Sequence, residues 1–207
     1  MGINERDTNI TFPIGKDVLV YVYMMKNYYN KGELTKEILT TIALMGMVVT
    51  CAALPGMAVV FKWFMPKDER EKQKIRRAVM ELDKRKVIRI YRKNGEDVIE
   101  MLEKGKKRLL RYKFDDIHIT PPKWWDKKWR IVIFDFPSRY EMSRKMFRYK
   151  INQLGFFQYQ KSVFIIPYEC KDEVFFVASY LHLERYVKYI VAESIDDEAK
   201  LKNIFHL

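Results

Sequence analysis

The sequence predicts an α+β fold divided into two units. In the last third of the chain, a continuous apolar run at residues 131–134 precedes segments whose apolar residues recur at helical and then at strand spacing. In the middle, a densely charged segment with helical periodicity precedes two alternating runs joined by Asn94-Gly95. Between these patterns lie Pro121 and Pro122, which stiffen a short extended linker. We therefore expect two compact lobes, each with a small core of its own.

The C-terminal lobe opens with Ile131 to Phe134, whose branched and aromatic residues are typical of a strand covered on both faces. Pro137 ends that strand, and Ser138 can cap the helix that follows. The apolar positions of this helix are Met142, Met146, Phe147, Ile151 and Leu154. Strands at about 156–160, 162–167 and 186–192, with a helix at about 172–183, complete the lobe. The order βαββαβ predicts a ferredoxin-like domain at residues 128–207.

The charged lobe, which we place at residues 34–113, has the pattern of a winged helix-turn-helix. A helix from Glu69 to Arg85 is followed by a hairpin, because Asn94-Gly95 suits a type I′ turn in which both central residues have positive φ. Two earlier helices are expected at Leu34 to Val49 and at Met57 to Met65. Residues 1–33 form an N-terminal extension to which we assign no role, and residues 114–127 form the linker.

Basic residues concentrate on this helix and hairpin. They are Lys72, Lys74, Arg76, Arg77, Lys84, Arg85, Arg89, Arg92 and Lys93. Such a distribution can contact phosphates along one face of a DNA duplex. The alternative is a merely solvated helix, in which Glu69, Glu71, Glu81 and Asp83 pair with the neighbouring cations.

Composition supports a polyanionic partner. The formal net charge is +12 and the isoelectric point is near 9.5, so the surface attracts nucleic acid or an anionic membrane. Two cysteines, Cys51 and Cys170, are too few for a disulfide framework, and we expect both to be buried thiols in the cytoplasm. The three histidines have no ligand-like spacing, which argues against a structural zinc site.

One segment permits a different localisation. Ile38 to Phe61 carries no charged residue and is long enough to cross a bilayer as one helix. Basic residues follow it, so an inserted helix would leave both lobes on the cytoplasmic side. Pro55-Gly56 divides the run, however, and two shorter buried helices fit equally well.

Several separated motifs in the C-terminal lobe occur together in a known group of domains. They comprise Trp125, Asp126, Trp129, Arg130, Ile133, Phe134, Asp135 and Pro137, then Leu154, Gly155 and Phe156, then Gln160, Lys161, Ser162, Val163, Pro167, Tyr168 and Cys170. Through these residues the segment from Lys128 to Ser194 resembles the Cas-two-like domain. That domain occurs alone as a small CRISPR-associated endonuclease of the spacer-integration complex. It also occurs as the middle domain of transcriptional repressors of the phenylacetate (PaaX) type.

The nuclease branch of this resemblance implies a role for Asp135. There, the aspartate that ends the first strand holds a divalent metal such as Mg²⁺ together with its symmetry mate in a dimer, and would be the catalytic residue. The alternative from the residues alone is structural, with Asp135 accepting backbone hydrogen bonds or pairing with Arg130 or Arg139. Gln160 and Ser162 match positions on the hairpin near that site and can equally satisfy backbone groups.

The PaaX branch implies the function that we expect. It is a dimeric transcriptional regulator, not an enzyme, that binds double-stranded DNA through the winged helix and forms a homodimer through the Cas-two-like domain without a cofactor. One alternative is an Mg²⁺-dependent Cas-two-type endonuclease or integration subunit. A second alternative is a membrane-tethered DNA-binding protein. Trp124, Trp125 and Trp129 could stack on bases or could pack the linker against the C-terminal lobe.

Overall fold

A computed structural model describes residues 31–46, 48–51 and 64–207. The chain divides into two compact units, Met1–Leu109 and Leu110–Leu207. The division falls inside a helix, Glu103–Asp116, upstream of the linker expected at 114–127. The reason lies in the apolar residues of that segment: Phe114 is buried in the core of the C-terminal unit, and Ile117 and Ile119 pack against the same core.

Among its described residues, the first unit, here called the charged unit, contains two helices, a three-stranded sheet and the start of a third helix. The elements are α1 (Lys31–Leu44), β1 (Val48–Cys51), α2 (Glu69–Lys84), β2 (Ile88–Lys93), β3 (Glu96–Met101) and α3 (Glu103–Asp116). The strands lie in the order β1-β3-β2 and both pairings are antiparallel. Among its described residues, the buried apolar side chains come from α1, α2, the hairpin strands with the preceding Val87, and Leu109 of α3.

Helix α2 and the hairpin agree with the sequence prediction because their signals are local. Asp68 caps α2, with a carboxylate oxygen that accepts from the backbone N–H of Glu71 at 2.7 Å. The connection between β2 and β3 has positive φ at Asn94 (52°) and Gly95 (83°), as a type I′ turn requires. The helix predicted from Glu69 to Arg85 and the hairpin are therefore confirmed.

The uncharged segment from Ile38 to Phe61 is not one helix. Helix α1 ends at Leu44, five residues before the predicted end at Val49, and Gly46 follows with φ of 92°. Residues 48–51 form β1, which pairs with β3 from Val48 opposite Glu100 to Cys51 opposite Asp97. Within the described ranges, no helix has both the length and the apolarity needed to cross a membrane. The helix expected at Met57 to Met65 and the N-terminal extension fall almost entirely outside those ranges.

The C-terminal unit has the predicted element order and one further helix. After α3 come β4 (Trp129–Phe134), α4 (Glu141–Gln153), β5 (Phe157–Gln160), β6 (Val163–Ile166), α5 (Lys171–Tyr180), β7 (Val187–Ala192) and α6 (Glu198–Phe205). Short 3₁₀ turns, Ser138–Tyr140 and Glu184–Tyr186, precede α4 and β7. The strands lie in the order β5-β6-β4-β7 and all pairings are antiparallel, which is the ferredoxin-like arrangement.

Apolar side chains cover both faces of this sheet, as the sequence of β4 predicted. Val132 and Phe134 point to the face that carries α4 and α5, where they join the main core of the unit. Trp129 lies on the opposite face with Ile165 and with Leu201 of α6. Helix α6 therefore seals part of the second face, a role that the sequence did not reveal.

Two methionines predicted to face the core are exposed. Met142 is 75% exposed and Met146 is 45% exposed, whereas Phe147 and Ile151 are fully buried. At about 100° per residue, Met142 and Met146 lie about 40° apart but about 100° or more from Phe147. Helix α4 therefore has a narrower buried face than its apolar residues suggested, and the expectation for these two methionines is wrong.

Candidate nucleic-acid interface

One face of α2 is packed and the opposite face is open. Ile75, Val79 and Leu82 are buried against the rest of the charged unit. On the other side, the exposed residues at spacings of four, three and four are Gln73, Arg77, Met80 and Lys84. These four residues form a continuous stripe along the helix, called here the outer face of α2. Its length and exposure suit insertion into a groove of similar width to a helix.

Three of the predicted DNA-binding cations already contact carboxylates. Lys72 pairs with Glu69 at 3.3 Å, Arg85 pairs with Glu81 at 2.6 Å, and Arg89 of β2 pairs with Glu100 of β3 at 2.5 Å. The hydrogen bonds that the Arg89 guanidinium donates to the Glu100 carboxylate raise the pKa of Arg89. The local pairing considered as an alternative thus exists at these positions. Exposed pairs of this kind contribute little to stability, so a phosphate can displace the carboxylate.

The remaining predicted cations stay in the same part of the unit. Lys74, Arg76, Arg77 and Lys84 are exposed along α2. Arg92 donates from Nε to the carbonyl oxygen of Gly95 at 3.2 Å, which orders its side chain over the hairpin turn. Eight of the nine predicted residues therefore belong to α2 or to β2, which ends at Lys93, and Arg85 is the residue directly after α2.

Sequence reasoning missed the uncharged members of the outer face. Gln73 and Met80 lie on the same stripe as Arg77 and Lys84, but the prediction selected cations alone. The sequence contained the information, because residues 73, 77, 80 and 84 lie on the side of a helix opposite the apolar positions 75, 79 and 82. A glutamine amide is also chemically suited to a base edge, since it can donate to and accept from adenine together.

The predicted metal residue, Asp135, lies at the end of β4 with its side chain exposed. Its backbone N–H donates to the carbonyl oxygen of Tyr186 at 3.3 Å, and the preceding N–H, of Phe134, donates to Ser162 at 3.1 Å. The β5–β6 hairpin and the turn before β7 thus meet beside Asp135. Gln160, the other predicted hairpin residue, is exposed on β5.

The arginines proposed as structural partners of Asp135 bind elsewhere. Arg130 is buried, and its Nη2 lies 2.6 Å from Asp126 Oδ2 and 3.1 Å from Glu169 Oε2. Arg139 donates to the hydroxyl of Tyr186. The alternation of a strand explains the first case, because positions 130 and 135 are an odd number of residues apart and about 16 Å along the strand. That pairing expectation for Asp135 is wrong.

The Arg130 network is a buried structural clamp. Its guanidinium also donates to the carbonyl oxygens of Lys128 and Pro167, at 2.9 and 3.0 Å. The hydrogen bonds that Arg130 donates to Asp126 outweigh burial and raise the pKa of Arg130, and the same contact lowers the pKa of Asp126. The clamp fixes the start of β4 against the end of β6, so it positions the sheet whose far end carries Asp135.

One chain supplies a poor set of metal ligands at Asp135. Within the described residues, no three side chains of the His, Cys, Asp or Glu type lie close enough together to hold a metal ion. A hard cation such as Mg²⁺ requires about six oxygen ligands. A single exposed carboxylate does not fit that requirement by itself, and we derive no metal-dependent step from this chain.

The basic residues of α4 mostly have internal partners. Arg144 donates to the carbonyl oxygen of Phe136, and Lys145 pairs with Glu141 at 2.8 Å. Arg148 donates to Gln158, and the buried Lys150 donates from Nζ to the carbonyl oxygen of Asp115 at 2.9 Å. These contacts explain why so many cations occur on a helix that packs closely against its unit.

The three tryptophans beside the linker divide between the two predicted roles. Trp129 is fully buried, and Trp125 lies against it with ring centroids 5.0 Å apart. Trp125 also donates from Nε1 to the carbonyl oxygen of Lys128. Trp124 is 86% exposed. Packing therefore accounts for Trp125 and Trp129, whereas Trp124 is accessible.

Comparison with known proteins finds a similarity in the C-terminal unit. Residues 122–204 match the family model described as the PaaX protein central Cas2-like domain. This domain is similar to the one predicted from the motifs around Asp135 and Gly155. No curated protein matches the chain. The match covers the ferredoxin-like sheet, α4, α5 and most of α6, and it stops short of the charged unit.

Proposed function

We propose that this chain is a DNA-binding transcriptional regulator of the PaaX type that acts as a homodimer. The match of residues 122–204 to the central domain of PaaX supports the regulator class. The single observation that carries DNA binding is the outer face of α2, an exposed stripe on a helix that is followed by the basic strand β2, in a chain of net charge +12. The described elements α1, β1, α2 and the β2–β3 hairpin, with β1 beside β3, support a winged helix.

In the proposed complex, α2 enters the major groove and the β2–β3 hairpin acts as the wing. The groove is about 12 Å wide and admits an α-helix. Arg77 and Lys84, the two cations of the outer face, would meet base edges or phosphates. Lys74 and Arg76 flank this stripe and would contact the two phosphate backbones, while Arg92 and Lys93 would reach flanking phosphate from the wing.

A salt-series measurement tests this docking. The full chain is titrated into a fluorescent genomic duplex at several salt concentrations, and the slope of log K against log salt is measured. Removal of one phosphate-binding cation lowers the magnitude of this slope by about 0.9. The double variant Arg77→Ala, Lys84→Ala should therefore bind less tightly and lower the slope by about 1.8 if both residues contact phosphate.

A variant with the same charge change serves as the control. Lys171→Ala with Lys200→Ala removes two exposed cations from the C-terminal unit and should leave the slope close to that of the unaltered chain. If both double variants lower the slope equally, binding reflects net charge alone. In that case the proposal that α2 docks in the groove is wrong.

We place the homodimer contact on the Cas-two-like domain. In the sheet formed by the described residues, β7 lies at the edge beside β4, and its Ile190 and Val191 are 43% and 49% exposed. An edge strand with exposed apolar side chains favours association with a second copy. Sedimentation of the full chain and of Ile190→Lys should show a dimer that weakens in the variant. A monomer at all concentrations would remove this part of the proposal.

The nuclease remains the second candidate because the matched domain is Cas2-like and its Asp135 is exposed. Two copies would have to share the metal, since one chain supplies one carboxylate. Incubation of the chain with duplex DNA and Mg²⁺ distinguishes the candidates. Cleavage that disappears in Asp135→Asn supports the nuclease, whereas tight binding without cleavage in both proteins supports the regulator.

A further inference from the structure

Two arginines from distant parts of the C-terminal unit lie together beside two tyrosines. Arg139 and Tyr140 belong to the 3₁₀ turn before α4, and Arg185 and Tyr186 belong to the 3₁₀ turn before β7. The tyrosine rings are 5.6 Å apart between centroids. We call these four residues the arginine–tyrosine cluster.

The contacts within the cluster are reciprocal. Each guanidinium carbon lies over the ring of the neighbouring tyrosine, at 5.0 Å for Arg139 over Tyr140 and 4.7 Å for Arg185 over Tyr186. Each arginine also donates from Nη2 to the hydroxyl of the other tyrosine, at 3.4 Å from Arg139 to Tyr186 and 3.5 Å from Arg185 to Tyr140. The two cations are thus held in place from two sides.

The tyrosines are in turn fixed by the fold. Both are partly buried and pack against the main core of the unit, where the ring of Tyr186 meets buried Phe136 edge to face. The backbone N–H of Tyr140 donates to Pro137, and that of Tyr186 donates to Leu183. The cluster is therefore preorganised, so its side chains would lose little conformational entropy when a ligand binds.

The cluster holds two positive charges and lacks a carboxylate to neutralise them. Among the residues that the structure describes, neither Arg139 nor Arg185 forms an ion pair, unlike Arg85, Arg89 and Arg130. The adjacent Glu141 is occupied by Lys145 at 2.8 Å. Each guanidinium has five N–H donors, and the hydrogen bond to a tyrosine uses one of them. Most of the donors remain available to an external acceptor.

We propose that the arginine–tyrosine cluster binds a phosphate group. A phosphate oxyanion accepts two parallel hydrogen bonds from the fork of an arginine, and two arginines side by side can hold it from two directions. The pKa of the Tyr140 hydroxyl is lowered, chiefly by its hydrogen bond from Arg185, in keeping with the positive field there. The site rests on its own geometry and does not depend on docking of α2.

Replacement of Asp135 provides one test of phosphate binding by the cluster. It is joined to the cluster by the hydrogen bond from its backbone N–H to the carbonyl oxygen of Tyr186. Its carboxylate is exposed at the same end of the sheet and lowers the positive potential there. Asp135→Asn should therefore tighten phosphate binding modestly, which is opposite to the effect expected of a metal ligand.

The experiment measures binding to the full chain by calorimetry with two probes. Inorganic phosphate represents a phosphate monoester, and a single-stranded thymidine hexamer without terminal phosphates represents the phosphodiesters of nucleic acid. Arg139→Ala with Arg185→Ala should weaken binding of the preferred probe by about 100-fold, from about tenfold for each charge-assisted contact. Arg148→Ala, which removes a partly exposed arginine of α4 that donates to Gln158, is the matched control and should bind normally.

A second pair of variants separates the role of the hydroxyl groups from that of the rings. Tyr140→Phe with Tyr186→Phe keeps both rings under the guanidinium groups and removes the hydroxyls that orient them. Binding should fall roughly threefold to tenfold while thermal unfolding stays the same, because partly exposed hydroxyls contribute little to stability. If this variant and the arginine variant both bind like Arg148→Ala, the cluster is not the site.

The outcomes also identify the source of the phosphate. Preference for inorganic phosphate indicates a small phosphorylated ligand, and preference for the hexamer indicates nucleic acid. Absence of binding to either probe at about 10 mM overturns the proposal. If hexamer binding disappears in Arg77→Ala, Lys84→Ala but is intact in Arg139→Ala, Arg185→Ala, the contact belongs to α2 and the cluster proposal fails while the regulator proposal stands.

Discussion

Replacement of Gly105 by alanine should destabilise the charged unit. Gly105 lies in the first turn of α3, and a Cβ built there would be 2.5 Å from the carbonyl oxygen of Val87 and 2.7 Å from Met101 Cγ. The carbonyl oxygen of Val87 would have to retreat by about 0.9 Å to reach ordinary contact at 3.4 Å. That oxygen also accepts from the N–H of Leu102 at 3.0 Å, so its movement strains the joint between the hairpin and α3.

The expected magnitude follows from two opposing effects. Overpacking of a close contact costs about 1–3 kcal/mol, and the upper value applies because the clash involves backbone. Alanine is preferred over glycine within a helix by up to about 1 kcal/mol. The net loss should be about 2 kcal/mol, which corresponds to a lower unfolding midpoint of about 8–16 °C for a unit of this size.

Thermal unfolding followed by circular dichroism, with hydrogen exchange of the β2–β3 amides, measures this loss. Gly32→Ala is the matched control, because Gly32 lies in α1 and a Cβ there would meet nothing within 4 Å. The control should unfold at the same temperature as the unaltered chain or slightly higher. If Gly105→Ala unfolds no earlier than Gly32→Ala, the close approach of α3 to the hairpin is not tight and the reasoning fails.

Three further predictions concern single residues. The pKa of Asp126 is lowered, first by its hydrogen bond from Arg130, so its contribution to stability is complete above about pH 4 and is lost as pH falls through the lower folded value. Acid unfolding of Asp126→Asn should therefore be less steep below pH 4 than that of the unaltered chain, and equal slopes would refute the linkage. Burial raises the pKa of the Cys170 thiol to about 12, so mass spectrometry should find it unalkylated at pH 8 until the unit unfolds; rapid labelling in the folded state would contradict this. Gly95→Ala should lower the free energy of unfolding by about 1 kcal/mol, because φ at Gly95 is 83° and nothing crowds the site, and an unchanged denaturant midpoint would show that the turn relaxes.

Local signals explain which parts of the fold could be predicted from the sequence. Helix α2 has a capping aspartate and a clear apolar face, and the hairpin has Asn94-Gly95, so neither depends on distant residues. The ferredoxin-like unit was predictable because its apolar residues recur at strand spacing in some segments and at helical spacing in others. Pro137 and Gly155 mark the ends of its first strand and of the helix that follows.

Strand β1 could not be predicted for a physical reason. It occupies four residues, Val48–Cys51, within a longer uncharged run, where periodicity does not distinguish a short strand from a buried helix. Its conformation depends on pairing with β3, almost fifty residues later. Helix α6 was missed for a related reason, because its role depends on Leu201 packing against Trp129 and Ile165 of the distant sheet.

The candidate sites also differ in how far apart their residues lie in the sequence. The nine cations were predictable because they occur within a short charged stretch that forms one helix and one strand. The arginine–tyrosine cluster joins residues more than forty positions apart, so no local sequence pattern indicates it. The expected pairing of Asp135 failed because strand alternation separates it from Arg130, and Arg130 instead bridges Asp126 and Glu169.

The carboxylates that hold Lys72, Arg85 and Arg89 also act as competitors for any incoming polyanion. A diffuse or poorly aligned polymer gains little from displacing them, since each exchange only trades one anion for another. A well-aligned partner displaces all three at once and compensates for the broken pairs through closer contact elsewhere. These ion pairs would therefore weaken the non-specific binding of polyanions to this strongly basic protein. A partner whose anionic groups match the three cations would still bind.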